Sequence, residues 1–221
     1  MKIIKLVLLL SLCIFLLPSC SDTAEKPDKS QAEPIAMSSA YEAEPEAASD
    51  SAENDGMYQT VTFEVENYGN FVVEIYPQYA PDTVSHFLSL VSSGYYDGFA
   101  FERIIHSEAL VTSDEPLEPK SDSGAVICDT VNGEFTGNGR SNDLELDRYT
   151  LVLDHVTGQN DSGKAKFRIL LSDGDQYEGH YAGFAKVIEG TEIIDRICGS
   201  ECDNQGTFYS PIVMKKVYIN E

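Results

Sequence analysis

From residue 60 onward the chain alternates apolar and polar positions with period two. Val61, Phe63 and Val65 form one such run; after Asn67-Tyr68-Gly69-Asn70, Phe71, Val73 and Ile75 form another. Two half-buried strands around a turn of that composition predict a β-hairpin. The period then changes. In Ala80-Pro-Asp-Thr-Val-Ser-His-Phe-Leu-Ser-Leu-Val, the residues Val84, Phe87, Leu88 and Val91 stand at i, i+3, i+4 and i+7, one face of a helix. Pro81 and Asp82 suit its first turn, and Gly94 suits its C-terminal cap. Further strands are expected over Phe99–Ile105, Ala109–Ser113, Thr150–Leu153, Phe167–Leu171, Tyr181–Val187 and Ile212–Ile219. A second short helix fits Thr191–Cys198, with Ile193, Ile194 and Ile197 on one side. Many strands with two helices predict a mainly β fold, an antiparallel barrel or sandwich plugged by helices. No internal repeat is visible.

The first 58 residues follow a different pattern. Lys2 and Lys5 precede an apolar run, Leu6 to Leu17, of the length of a signal-peptide core and too short to span a bilayer comfortably. It ends in Leu17-Pro18-Ser19-Cys20, which resembles a bacterial lipobox, where the Cys is lipidated on sulfur and becomes the mature N-terminus. An ordinary secretory signal and an uncleaved anchor are the alternatives. The polar stretch that follows Cys20 at once favours the lipoprotein reading. Residues 21–56 carry ten acids and two lysines among Ala, Ser and Pro, with almost nothing to bury. Such a segment cannot offset its ordering entropy and is expected to act as an extended spacer. The expected organisation is therefore a signal peptide over 1–19, a lipidated Cys20 and acidic linker over 20–58, and a folded domain over 59–221. It implies an extracytoplasmic protein of a bacterial cell membrane or envelope, held there by its lipid anchor only.

Composition narrows the partners. The 221 residues hold 15 Lys and Arg against 37 Asp and Glu, a net charge of −22, of which −16 falls in residues 59–221. Phosphate backbones would repel such a chain, so no nucleic acid is expected as a partner, and no basic face is available for anionic lipid. The hydrophobic content of 42% is that of a globular domain, and the length allows one sizeable core.

The order of elements and the residues within them resemble the cyclophilin-type peptidyl-prolyl cis-trans isomerases across roughly residues 60–219. Gly69-Asn-Phe-Val-Val-Glu-Ile-Tyr-Pro-Gln-Tyr-Ala-Pro-Asp-Thr-Val-Ser-His-Phe is similar to the family's opening hairpin and first helix. Gly94-Tyr-Tyr-Asp-Gly-Phe-Ala-Phe-Glu-Arg-Ile-Ile resembles its "G-Y-Y-D-G…F-H-R-I-I" stretch, and Gly133-Glu-Phe-Thr-Gly-Asn-Gly a "G-E-F…N-G" loop of many bacterial members. Phe184-Ala-Lys-Val-Ile-Glu-Gly-Thr-Glu-Ile-Ile-Asp-Arg-Ile resembles its "F-G-K-V-x-x-G…V-V-D-x-I" ending. Singly these motifs are weak; in order and at this spacing they are specific. The resemblance implies an eight-stranded antiparallel β-barrel capped by two α-helices. It also implies prolyl isomerisation, proline-containing peptide segments of exported proteins as partners, no cofactor and no metal. A monomer is expected.

That chemistry needs neither nucleophile nor metal. The amide barrier of about 18–20 kcal/mol arises from the partial double bond, so a donor aimed at the prolyl nitrogen lowers it by drawing the lone pair out of conjugation. In the family an Arg is that donor, and Arg103 in Phe101-Glu102-Arg103 matches its position; the alternative is an ordinary barrel Arg paired with a nearby acid. The resemblance places Phe101, Ala109, Val111, Lys166, Arg168, Tyr177 and Tyr181 at substrate-binding positions. Several depart from the family pattern. Glu108, Ala109 and Val111 stand where Phe, Met and Gln are expected, with only Asp114 kept of "Q-G-G-D". Lys166 replaces a backbone-binding Gln, Arg168 the Phe of the pocket floor, and Tyr177 a pocket Leu. Charges where a proline ring should be buried are costly unless paired. A Glu108–Arg168 pair across the pocket is therefore expected, competing for Arg103. Two readings follow: an isomerase of reduced activity, or an inactive barrel that binds peptides or an envelope protein.

The remaining chemistry-bearing residues are scattered. Cys198 and Cys202 could close a small disulfide in an oxidising envelope or stay free, and Cys128 is expected as a buried strand residue. Asp143-Leu-Glu145-Leu-Asp147 and Asp173-Gly174-Asp175 lack the full calcium-loop pattern and are read as surface turns. Among the histidines, His86 falls on the first helix and His106 follows the Arg strand, where it would line the groove.

Overall fold

The alternating residues of the first hairpin all turn inward. Val61, Phe63 and Val65 of strand β1 (Thr60–Val65) and Phe71, Val73 and Ile75 of β2 (Gly69–Ile75) are buried. The two strands pair antiparallel with Phe63 opposite Phe71, their rings stacked at 4.6 Å. The computed structural model describes residues 58–105, 107–117 and 128–221. The lipobox with Cys20, the acidic linker up to residue 57, and His106 lie outside the described residues.

Six more strands complete the sheet: β3 (Ala100–Ile105), β4 (Ala109–Thr112), β5 (Thr150–Leu153), β6 (Phe167–Leu170), β7 (Ala182–Glu189) and β8 (Thr207–Ile219). Every neighbouring pair is antiparallel, and the order β1-β2-β7-β5-β6-β4-β3-β8 closes on itself because β8 also pairs with β1. The expected eight-stranded barrel capped by two helices is the fold observed, and closure removes every free sheet edge. Strand β8 begins five residues earlier than its alternation suggested. Residues 208–211 loop out between the pairings Arg103↔Thr207 and Phe101↔Ile212, so Tyr209, Ser210 and Pro211 are exposed and carry no period-two signal.

Helix α1 (Pro81–Ser92) packs against β8 and β7, and α2 (Thr191–Cys198) against β2. Val84, Phe87 and Val91 are buried as the helical period predicts, with Leu88 packed partly against the core. Gly94, at φ +67, follows the helix as its left-handed cap. Its N–H donates to the Val91 carbonyl and that of Tyr95 to Leu90, the paired bonds of a Schellman motif. The other end of α1 has no side-chain cap of its own at Ala80. A distant carboxylate supplies it. Glu134, 2% exposed, accepts the Asp82 N–H at 3.1 Å and the Thr83 N–H at 2.8 Å. Two hydrogen bonds to a buried anion at the positive end of a helix are strong ones. Glu134→Ala should lower unfolding stability by about 2 kcal/mol, read from urea midpoints at unchanged m-value.

The resembling motifs prove to be largely structural. Tyr96, fully buried, donates to the Ala165 carbonyl at 2.9 Å, and Asp97 accepts the Val217 N–H at 2.9 Å. The "G-Y-Y-D-G" stretch thus ties α1 to the approach of β6 and to β8. Cys128 corrects its expectation: it is half-buried, lies in no strand, and its Sγ sits 3.7 Å from His86 Nε2. Cys128, Cys198 and Cys202 are all free thiols, and burial pushes the Cys198 thiol up to about 12.

Candidate active site

Strands β3, β4, β6 and β5 lie side by side, and their alternation assigns each residue to the barrel interior or its outer face. Leu110, Leu151, Phe167 and Ile169 fill the interior core. Their alternate neighbours Ala109, Val152 and Leu170 form a second, outer cluster with Leu146, Tyr177 and Tyr181. The outer cluster exists because the segment Tyr177–Tyr181 folds back over these strands. It is held there by the Gly137 N–H, which donates to the Gly179 carbonyl at 2.8 Å, and by its own Tyr181 N–H bonded to Tyr177.

A register irregularity in β3 between Phe101 and Arg103 places Glu102 and Arg103 together on the exposed side, while Phe101 and Ile104 stay in the core. A bulge re-aims side chains in this way. Phe101 is thereby corrected as a groove residue: it is 1% exposed, packs inside the barrel against Phe71 at 6.4 Å, and supports the strand instead. Arg103 faces Val111 across the β3–β4 pairing, and Val111 faces Arg168 across β4–β6. Directly opposed residues share a face, so Arg103, Val111 and Arg168 form one row. Two strand spacings put the two arginines about 10 Å apart at their backbones. Ala109 and Val111, both buried, make the floor between and beside them. Among the described residues no ion pair or hydrogen bond involves the Arg103 side chain, which is exposed. The reading of Arg103 as an ordinary salt-bridged barrel residue finds no carboxylate partner among the described residues.

Arg168 is paired, but not as expected. Its Nη2 donates to Asp154 Oδ1 at 2.7 Å, with side chains 16% and 12% exposed. Its guanidinium lies 5.1 Å from the Tyr181 ring centre and 5.8 Å from that of Tyr177. Burial would lower its pKa, but the Asp154 carboxylate outweighs that and raises it. Its Nε is buried with no acceptor among the described residues. Glu108, expected as the partner, is exposed and among the described residues its carboxylate accepts from the Tyr177 hydroxyl, at 3.5 Å. The reason lies in the β5–β6 register: Val152 stands opposite Arg168, so Asp154, two residues further along and bonded through its N–H to the Lys166 carbonyl, shares the face of Arg168 at the diagonal position. Arg103 takes no part in this pair.

Lys166 forms a second bar. Its Nζ bridges Glu102 Oε2 at 3.1 Å and Asp114 Oδ2 at 3.2 Å, joining the approach to β6 with β3 and with the segment after β4. Burial opposes its charge, yet the two carboxylates together raise its pKa. Burial likewise raises the phenol pKa of Tyr177 and Tyr181. Beyond Tyr181 the stack continues through His155, 4.7 Å away, to Phe135, 5.4 Å further. The imidazole is fixed by Nε2 at 2.9 Å from the His180 carbonyl. Beside the groove opens a cavity of about 560 Å³, sharing Asp154, His155 and Lys166 with it and bounded by Lys164 and Asp114.

The structure thus brings together Arg103, Ala109, Val111, Lys166, Arg168, Tyr177 and Tyr181 and turns Phe101 away. Sequence reasoning missed Asp154, His155 and Phe135. The missing signal was available for Asp154: a charge on a half-buried strand needs a counter-charge, and Asp154 is the acid that ends the neighbouring strand. His155 and Phe135 sit on loops, and no periodicity points to them.

Comparison with known proteins agrees with this geometry. The family model described as cyclophilin type peptidyl-prolyl cis-trans isomerase/CLD matches residues 60–219. A peptidyl-prolyl cis-trans isomerase of Arabidopsis thaliana is 28% identical over 158 residues, covering 70% of this chain and 89% of the relative. Peptidyl-prolyl cis-trans isomerase B of Escherichia coli is 28% identical over 154 residues, covering 66% of this chain and 88% of its own. Among solved structures, a Cryptosporidium parvum cyclophilin type peptidyl-prolyl cis-trans isomerase, crystallised in the presence of the dipeptide Ala-Pro, superposes with a TM-score of 0.63 at 23% identity. It covers 74% of this chain and 99% of that one.

Proposed function

The chain belongs to the cyclophilin-type peptidyl-prolyl cis-trans isomerase family, and from that premise we infer an isomerase acting through Arg103 on proline segments of exported proteins, at reduced rate on simple substrates. The observation that carries this reading is the Arg103 guanidinium, exposed in a row with the apolar Val111 and with no carboxylate partner among the described residues, in a domain where acids far outnumber bases. A free guanidinium donates toward the prolyl nitrogen of a peptide lying on Ala109 and Val111, and the twisted amide, whose nitrogen lone pair is released, gains most from that donor. No covalent step or cofactor enters. The Ala-Pro dipeptide present with the Cryptosporidium relative supports proline-containing peptides as the substrate class.

The reduced rate follows from the Arg168–Asp154 pair, which fills the place an apolar ring requires. The same pair favours a second reading, a barrel that binds peptides without turnover. The signal-like run, the lipobox ending in Cys20 and the acidic spacer support export and lipid anchoring, with clients among newly secreted chains.

Magnetisation-exchange NMR on a blocked Ala-Pro peptide tests the reading. The purified protein should accelerate cis-trans exchange, and Arg103→Ala should lose at least tenfold of that acceleration at unchanged circular dichroism, roughly the cost of removing one transition-state donor. Equal acceleration by both proteins would remove Arg103 from the mechanism. None by either would leave the binding module.

A further inference from the structure

The groove that would hold a proline ring is occupied by a cation of the chain's own. Arg168 rests between two tyrosine rings on one carboxylate, Asp154, and keeps a buried Nε donor without an acceptor among the described residues. A ring that packs on Tyr177 and Tyr181 therefore has to lift the guanidinium off its seat. Once lifted, the guanidinium loses its tyrosine packing and needs a new acceptor, because a displaced and partly desolvated cation is costly unless paired. The register decides where it goes. Arg168 and Arg103 lie in one row with only Val111 between them, so the lifted group moves along the row toward a second guanidinium that has no acid partner among the described residues. Two arginines converging over a small apolar residue repel each other, and a carboxylate between them relieves both. Guanidinium forks match carboxylates with paired N–H donors. Lys166 cannot serve as that relief, and its two neighbouring acids, Glu102 and Asp114, are already engaged by it.

We propose that Arg168 is a specificity-determining residue of this groove, and that the site selects prolines flanked by Asp or Glu, whose carboxylate is held between Arg168 and Arg103. The inference rests on the reading that this groove is the peptide site. The surroundings sharpen the selection. The domain carries −16 overall, so an acidic peptide is repelled from most other faces, while four of its eleven Lys and Arg residues (Arg103, Lys164, Lys166 and Arg168) line this groove and the adjoining cavity. A lysine-flanked proline finds the opposite: two guanidiniums at the site and attraction to the wrong surfaces.

The test compares blocked peptides Ala-Glu-Pro-Ala, Ala-Ala-Pro-Glu, Ala-Ala-Pro-Ala and Ala-Lys-Pro-Ala in exchange NMR with the parent protein, Arg168→Gln and Arg168→Lys. Arg168→Gln removes the charge yet can still donate to Asp154; Arg168→Lys keeps the charge if the first variant folds poorly. At least one acidic peptide should be accelerated fivefold or more above the Ala peptide by the parent, with the Lys peptide slowest. The preference should fall to within twofold of unity in Arg168→Gln and persist in Arg168→Lys. Equal acceleration of all peptides by the parent, or a preference untouched by Arg168→Gln, overturns the assignment. If no peptide is accelerated by any of the proteins, isomerisation itself fails. The specificity is then decided by peptide affinity from Val111 and Arg168 amide shifts, with the same fivefold preference and the same loss in Arg168→Gln required.

Discussion

Gly206→Ala is expected to cost about 3 kcal/mol of stability or more and to unseat Arg103, although residue 206 touches no substrate. Gly206 has φ +82, where an alanine pays about 1–2 kcal/mol in backbone conformation alone. The larger penalty is contact. A Cβ at this position would land on the Ile104 carbonyl oxygen, a backbone atom of the next strand that no rotamer change can move aside. The close approach exists because the Ile104 N–H donates to the Gly206 carbonyl at 2.9 Å, just where β8 loops out beside the β3 bulge. The turn is rigid on its other side as well, since Asp203 Oδ1 accepts the N–H groups of Gln205 at 2.8 Å and Thr207 at 2.9 Å. The strand that must yield is therefore β3, and Arg103 moves with it. Urea unfolding reads the stability, and hydrogen exchange of the Ile104 amide reads the local opening. Gly158→Ala is the control: its φ is +79, but nothing lies within 4 Å of the added Cβ, so it should lose only about 1 kcal/mol. Equal losses at both positions would show that the approach to Ile104 is soft.

This bulge marks the boundary of what the sequence could show. Period-two runs such as Val61-x-Phe63-x-Val65 and the i, i+3, i+4, i+7 face of α1 come from burial on one side, so they located their elements to within a residue or two. Closure of the barrel followed from the family resemblance, because alternation alone is also satisfied by a sandwich. The site was legible only in part. Arg103 stands out by its motif, whereas Phe101, which the resemblance puts among the substrate-binding positions, faces the core. The motif does not reveal this, because a bulge breaks the one-in, one-out rule between the two residues. Arg168 showed as an anomaly, a charge in an apolar run, but its partner depended on strand register. Glu108 and Asp154 were both candidates by type. Only the alignment of Val152 with Arg168 puts Asp154 on the same face, diagonal to Arg168 and within reach of its guanidinium.

The Arg168–Asp154 pair carries the second large effect, and its sign depends on which member is removed. Asp154→Ala is expected to destabilise the domain by about 3 kcal/mol, since it strands a guanidinium that is mostly buried between two tyrosines. Replacing both members, Asp154→Ala with Arg168→Phe, should return stability to within about 1 kcal/mol of the parent. A buried ion pair does little better than well-packed apolar groups, because desolvating both charges cancels most of their attraction. The double variant also rebuilds a dry aromatic floor beside Ala109, Val152 and Leu170, the outer cluster already in place. Exchange of the Ala-Pro peptide should then rise at least fivefold above the parent, with Arg103 untouched. With Arg168→Phe alone as the fourth protein, the unfolding energies close a double-mutant cycle in which the coupling energy exceeds about 1 kcal/mol. If Asp154→Ala costs less than that and Arg168→Phe restores nothing, the guanidinium does not depend on Asp154 and the groove is not plugged. If stability recovers but exchange does not rise, the pair is a structural device alone, and any shortfall in turnover must be sought at Val111 and Lys166, which stand where the resemblance expects two carbonyl-gripping amides.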